Sequence, residues 1–174
     1  MARFGFIHEK LDIKILILFI LRRLPGTVER ETLWDLCQCD DGVGYFDYSD
    51  CLSELIDTGH IDAVDGGLRI TEKGARNAEA VETSLPYSVR AKAEQVLAPV
   101  AARLRRDAMI TTEHYMTDSG LTAHFALSDG AGEIIDLRVL VANEEQAKTM
   151  EKNFRISAEE IYHKIIAMMD EKER

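Results

Sequence analysis

The sequence predicts an α+β protein: a helical unit closed by a small hairpin, then a three-stranded antiparallel sheet packed by a long C-terminal helix. Three observations carry this. Over residues 12–58 apolar residues recur at three- and four-residue spacing, the period of helices with a buried face. Over residues 109–141 they alternate with polar residues, the period of strands in a sheet covered on one side. From Asn143 the helical spacing returns and runs to about Asp170.

The first helix is expected over residues 12–23, with Asp12 as N-cap and Pro25-Gly26 as its stop. Its interior is apolar nearly all round, as in a helix enclosed by neighbours. Thr27 is the expected cap of a second helix whose buried face carries Leu33, Leu36 and Cys37. A third helix over residues 45–58 turns Tyr48, Cys51, Leu52, Leu55 and Ile56 inward, and Gly59 ends it. Residues 60–64 and 68–71 read as two short strands around the turn Asp65-Gly66-Gly67. Leu16, Phe19, Ile20, Ile61 and Ile70 complete the expected core. Three helices followed by a hairpin make a winged helix-turn-helix, which places a domain over residues 1–83.

The second domain is expected over residues 84–174. Ser84 and Pro86 are set to start a helix with Val89, Ala93, Val96, Val100 and Leu104 on one face, kinked or divided at Pro99. Strands follow at about residues 109–116, 121–128 and 135–141, joined at Gly120 and at Asp129-Gly130-Ala131-Gly132. Asn143 through Gln146 reads as a capping box. The last helix carries Ala147, Met150, Phe154, Ala158, Ile161, Ile165 and Met168 as an unbroken stripe, long enough to leave some surface for a second subunit.

The segments "LSELIDTGHI" and "GGLRITEKG" resemble the third helix and wing of PadR-like bacterial winged-helix regulators. Nearly the whole chain, and most of all "LRVLVANEEQAKTMEKNFRISAEEIYHKI", resembles an uncharacterised bacterial domain-of-unknown-function family in which a winged helix precedes a small α+β unit. The resemblance implies a transcriptional-regulator label and a homodimer paired outside the reading helix. It implies no ligand and no activity.

Charge opposes the simplest form of that label. The chain carries 31 acidic and 21 basic residues, a net charge of -10, which repels nucleic-acid backbones and anionic membranes. In the resembled fold the third helix reads DNA. Here it has no lysine or arginine over residues 45–58. Tyr45, Ser49 and Ser53 remain as candidate contacts to phosphate or base edges, with Arg69 on the wing and Lys73 beyond it. Arg22, Arg23 and Arg30 supply a further basic cluster. Asp47, Asp50 and Glu54 are candidate protein contacts instead, joined by Ile161 and Met168 on the last helix. Two readings follow: a regulator-like homodimer that binds DNA weakly or in a context-dependent way, and a protein-interaction module using the winged helix. A small-ligand sensor or enzyme at the sheet is a distant third.

No nucleophile elbow, phosphate loop or HExxH pair is present, so no catalytic residue, cofactor or metal is expected. Cys37 and Cys51 fall on core faces, Cys39 lies between helices, and His60 does not complete a zinc pattern with them. His114 and His124, with Glu113, Asp136 and Arg138, would form a site only if their side chains shared a sheet face. The longest apolar run, residues 15–21, is far short of the roughly 20 residues of a membrane span. An odd cysteine count without a secretory signal points to a reducing cytoplasm.

Overall fold

The computed structural model describes residues 6–64 and 66–170; Asp65 of the expected hairpin turn lies outside the described residues. The chain divides into two compact units between Leu104 and Arg105.

The first unit contains α1 (Lys10–Arg23), α2 (Arg30–Cys37), α3 (Tyr45–Asp57), β1 (Ile61–Val64), β2 (Gly67–Ile70), α4 (Glu72–Val81) and most of α5 (Tyr87–Ala108). Eight residues of α1, Ile13 and residues 15–21, are buried, which is why its sequence is apolar all round. The helix starts earlier than expected, with Glu9 in the N-cap position. Asp12 therefore lies inside the first turn, where a negative charge suits the positive helix end.

Thr27 does not cap α2; Glu29 occupies that position. The preceding residue, Val28, forms an antiparallel bridge with Leu68, exchanging backbone hydrogen bonds of 2.8 and 2.7 Å. This close approach requires Gly67, where a Cβ would lie 2.4 Å from Thr27 Cγ2. β1 and β2 pair antiparallel with Asp62 opposite Arg69. Thr71 caps α4 by accepting from the Gly74 N–H at 3.0 Å.

A buried carboxylate ties the chain ahead of α1 to the α2–α3 loop. Asp40, 1% exposed, accepts from the backbone N–H groups of Phe6, Ile7 and Gly42 at 3.1, 3.2 and 2.9 Å.

The helix expected to open the second domain belongs mostly to the first core. Val89, Ala93, Leu97 and Ala101 are buried there, at strict four-residue spacing. Val96, expected inside, is exposed. The boundary thus falls some twenty residues later than the expected 83/84. Ser84 is not a cap: it lies in a 3₁₀ turn and donates to the Val81 carbonyl. Pro99 does not divide the helix: it is exposed within α5, which runs from Tyr87 to Ala108.

In the second unit β3 (Ile110–Thr117), β4 (Gly120–Ser128) and β5 (Glu133–Leu140) form an antiparallel sheet in that order, and α6 (Glu144–Asp170) packs on one face. Ile110, Ala123, Phe125 and Leu127 meet Phe154 and Ala158, with the Phe125 and Phe154 rings 5.2 Å apart. Asn143 Oδ1 accepts from the Gln146 N–H, as the capping box requires, whereas Gln146 Oε1 accepts from the N–H of Ala142, one residue before the expected Asn143. The helix is not uninterrupted: Ser157 leaves helical geometry, at φ -129° and ψ 27°. Arg106 donates to the carbonyls of Arg155 and Ile156 beside that break, at 2.7 and 3.2 Å.

Candidate functional site

α3 turns Tyr48, Cys51, Leu52 and Leu55 into the core, so its opposite face is solvent-facing. That face is both aromatic and acidic. Phe46 is 83% exposed and Tyr45 58%. Their rings lie 6.1 Å apart; Tyr45 meets Trp34 edge-on at 5.2 Å, and Trp34 meets buried Tyr48 at 4.9 Å. An aromatic chain therefore runs from solvent into the core. The sequence reading missed Phe46, though a phenylalanine two residues before Tyr48 necessarily points away from the apolar stripe.

The carboxylates of this helix are arranged beside α1. Lys10 pairs with Asp50 at 2.9 Å, and Lys14 pairs with Glu54 one turn further along. Two interhelical ion pairs, one turn apart on each helix, thus form a ladder across the α1–α3 seam. Ser49 and Ser53 are exposed on α3, and Asp47 is half-buried. The expected cationic residues are engaged elsewhere. Arg69 faces Asp62 across the hairpin at 3.9 Å, and Lys73 donates to the Thr58 carbonyl at the C-terminal end of α3 at 2.6 Å. Arg22 pairs with Glu79 and Glu82, and Arg23 with Glu82 and Glu94. The Arg23 hydrogen bond, ahead of the other contributions, holds the Glu82 carboxyl below its usual range. The basic cluster expected at Arg22 and Arg23 is therefore neutralised.

The thiols are poor nucleophiles and poor ligands in this setting. Cys37 and Cys51 are buried, and burial raises both; burial, reinforced by Asp40, pushes Cys39 up to about 11. Among the described residues no group of His, Cys, Asp and Glu is arranged to hold a metal ion.

The sheet separates the two histidines. Glu113 pairs with His124, and His114 with Ala123, in the β3–β4 register, so His114 and His124 lie on opposite faces. His114 faces α6, with Nδ1 2.7 Å from Glu151. His124 stands on the other face between strands, with Nδ1 3.0 Å from Glu113 and Nε2 3.0 Å from Asp136; Arg138 lies 3.4 Å from Asp136. The hydrogen bond to Glu113, then that to Asp136, raises the His124 pKa above its ordinary value of 6.5. The group is a cross-strand clasp joining all three strands.

On α6, Ile161 packs against the sheet core, whereas Met168 is 76% exposed and Met169 81%. No helix among the described residues is long and apolar enough to cross a membrane. The chain belongs to the family described as Domain of unknown function (DUF4364), whose model matches residues 13–169. No curated protein and no solved structure matches it.

Proposed function

We propose that the first unit is a winged-helix module of a regulator-like protein that works through protein contacts on α3, with duplex DNA bound weakly or only in a favourable context. The observation that carries this reading is the outward face of α3. It offers exposed Phe46 and Tyr45 beside Asp50 and Glu54, which pair with Lys10 and Lys14 of α1, and α3 itself contains no lysine or arginine. Aromatic side chains ringed by polar groups are the usual energetic centres of protein interfaces. Carboxylates in the major groove meet a strongly negative potential and can accept only from the amino groups of cytosine and adenine. Order of elements supports the winged-helix assignment: three helices, a hairpin, and Val28 bridged to the hairpin's second strand.

Fluorescence anisotropy with random-sequence duplex across a salt series tests the DNA half. No binding tighter than about 10 µM is expected at about 150 mM salt. Sub-micromolar binding with a slope of several neutralised phosphates overturns it. A photo-crosslinking amino acid at position 46 tests the other half in cells. A protein adduct is the expected product, and a nucleic-acid adduct contradicts the reading. If the acidic face is the barrier to DNA, joint Asp47→Asn, Asp50→Asn and Glu54→Gln substitution raises duplex affinity.

A second copy is the partner proposed for α6. Ile166, Met168 and Met169 are exposed in its last turns, and methionine suits adaptable apolar contacts. Light scattering at tens of micromolar protein is expected to give a dimer mass; a monomer mass removes this partner.

A further inference from the structure

A groove of about 500 Å³ lies in the first unit between α1, α3 and α4. That volume is in the range of small-molecule sites. Its floor is apolar and buried, formed by Ile15, Leu18 and Leu55. Leu11 and Val81 stand exposed at its mouth. Its polar groups are of two kinds. Lys14 and Glu54 contribute an ion pair, with side chains 30% and 53% exposed. His60, Thr58 and Asn77 contribute a neutral chain. The Thr58 hydroxyl gives its proton to the Glu54 carbonyl at 2.6 Å, so it accepts from His60 Nδ1–H at 2.8 Å. Nε2 is then left to accept from Asn77 Nδ2 at 2.7 Å. Burial, followed by Lys73 and Lys14, lowers the His60 pKa, in keeping with an uncharged ring.

We propose that this groove binds a small zwitterion with an apolar side chain, in chemical class an apolar α-amino acid. The Lys14–Glu54 pair is exposed, so it exchanges partners at little cost. An anionic ligand at Lys14 places two negative charges together at Glu54. A cationic ligand at Glu54 does the converse at Lys14. A zwitterion pairs its carboxylate with Lys14 and its ammonium with Glu54, leaving no charge unmatched, while its side chain covers Leu18 and Leu55. The neutral His60 chain adds no competing charge on the α4 side.

Three indole probes that differ in charge test this on the full chain: L-tryptophan, indole-3-propionate and tryptamine. Methyl-resolved NMR is expected to show saturable shifts of Leu18, Leu55 and Val81 with L-tryptophan, at a Kd of about 1 mM, the weak range suited to so small a ligand. The two singly charged probes bind at least about threefold more weakly, and Lys14→Met removes that preference. Ala80→Trp, from an exposed position lining the groove, abolishes the shifts; Leu11→Trp does so from the opposite wall should the first variant fold poorly. Absence of saturable shifts at these methyls up to about 10 mM overturns the site. So do tryptophan shifts that survive in a folded blocking variant. Equal or tighter binding of a singly charged probe overturns the zwitterion assignment.

Discussion

In the first unit α1 is buried on nearly every side, whereas in the second unit the sheet is covered by α6 on one face and carries Glu113, Arg138 and Leu140 exposed on the other. The same difference governs the histidines. His60 sits among neutral hydrogen-bond partners beside an apolar floor, and its pKa is lowered; His124 stands between two carboxylates, and its pKa is raised. Beside its apolar groove the enclosed unit gives His60 neutral partners. A half-covered unit uses charge to lock the strand register that packing on one side leaves less constrained.

Truncations in the two cores are expected to be the most damaging changes. Leu55→Ala should cost about 2–5 kcal/mol and Phe154→Ala about 3–5 kcal/mol in urea denaturation, since both side chains are at most 4% exposed. Leu140→Ala, on the uncovered face at 63% exposure, should stay within about 0.5 kcal/mol. A Leu140→Ala loss as large as that of Phe154→Ala would show that this face is covered after all and erase the contrast.

Asp40→Ala comes next, at about 3 kcal/mol, because it orphans three backbone donors in the enclosed unit. Asp129 makes two comparable bonds, to the Ala131 and Gly132 N–H groups, but in an exposed turn. Water replaces it there, so Asp129→Ala is expected to cost under about 1 kcal/mol by the same denaturation assay.

Legibility in the sequence followed the same division. Period located α1, α2, α3, α5, α6 and the strands of the three-stranded sheet, because period reports which face is dry. The Asn143 cap was readable because its side chain acts within three residues. Contacts set by distant partners were not readable. Val28 pairs with Leu68 and displaces the start of α2 from Thr27, and Asp40 is fixed by Phe6 and Ile7, more than thirty residues away. The α5 stripe was misplaced because Val96 and Leu97 fit apolar spacing equally well, and only the first core selects Leu97. At the candidate site the acidic residues of α3 were plain, but their lysine partners on α1 depend on how two helices pack. Phe46 lies off the buried stripe of Tyr48, Cys51, Leu52 and Leu55, so the apolar period of α3 carries no sign of it.

The histidines supply a contrast in pH dependence. The His124 pKa is raised above its unfolded value near 6.5, so its stabilising contribution is complete below that pH and is lost as pH rises through the folded value. The His60 pKa is lowered, so its contribution is complete above about 6.5 and is lost as pH falls from there through the folded value. NMR titration of the ring protons should place the two midpoints on opposite sides of 6.5, and His124→Gln should remove the high-side slope of stability. Midpoints on the same side would break the comparison.

The smallest expected effect concerns the hydroxyls buried in each unit. Tyr48 is 3% exposed and its Oη has no hydrogen-bond partner among the described residues, while its ring packs against Trp34. Burial raises its phenol pKa above the ordinary value. Removing an unsatisfied hydroxyl while keeping the ring discards a desolvation penalty and no bond, so Tyr48→Phe should be neutral or stabilising by up to about 1 kcal/mol. Thr122 in the second unit is 8% exposed, but its hydroxyl has partners in Thr117 Oγ1 at 3.2 Å and the Gly120 carbonyl at 3.4 Å. Thr122→Val keeps the shape and loses those bonds, so a loss of about 0.5–1 kcal/mol is expected. Urea midpoints for the two variants should therefore move in opposite directions or differ clearly. A Tyr48→Phe loss above about 1 kcal/mol would mean that the hydroxyl is satisfied in solution, and the enclosed unit would then tolerate no more unpaired polarity than the half-covered one.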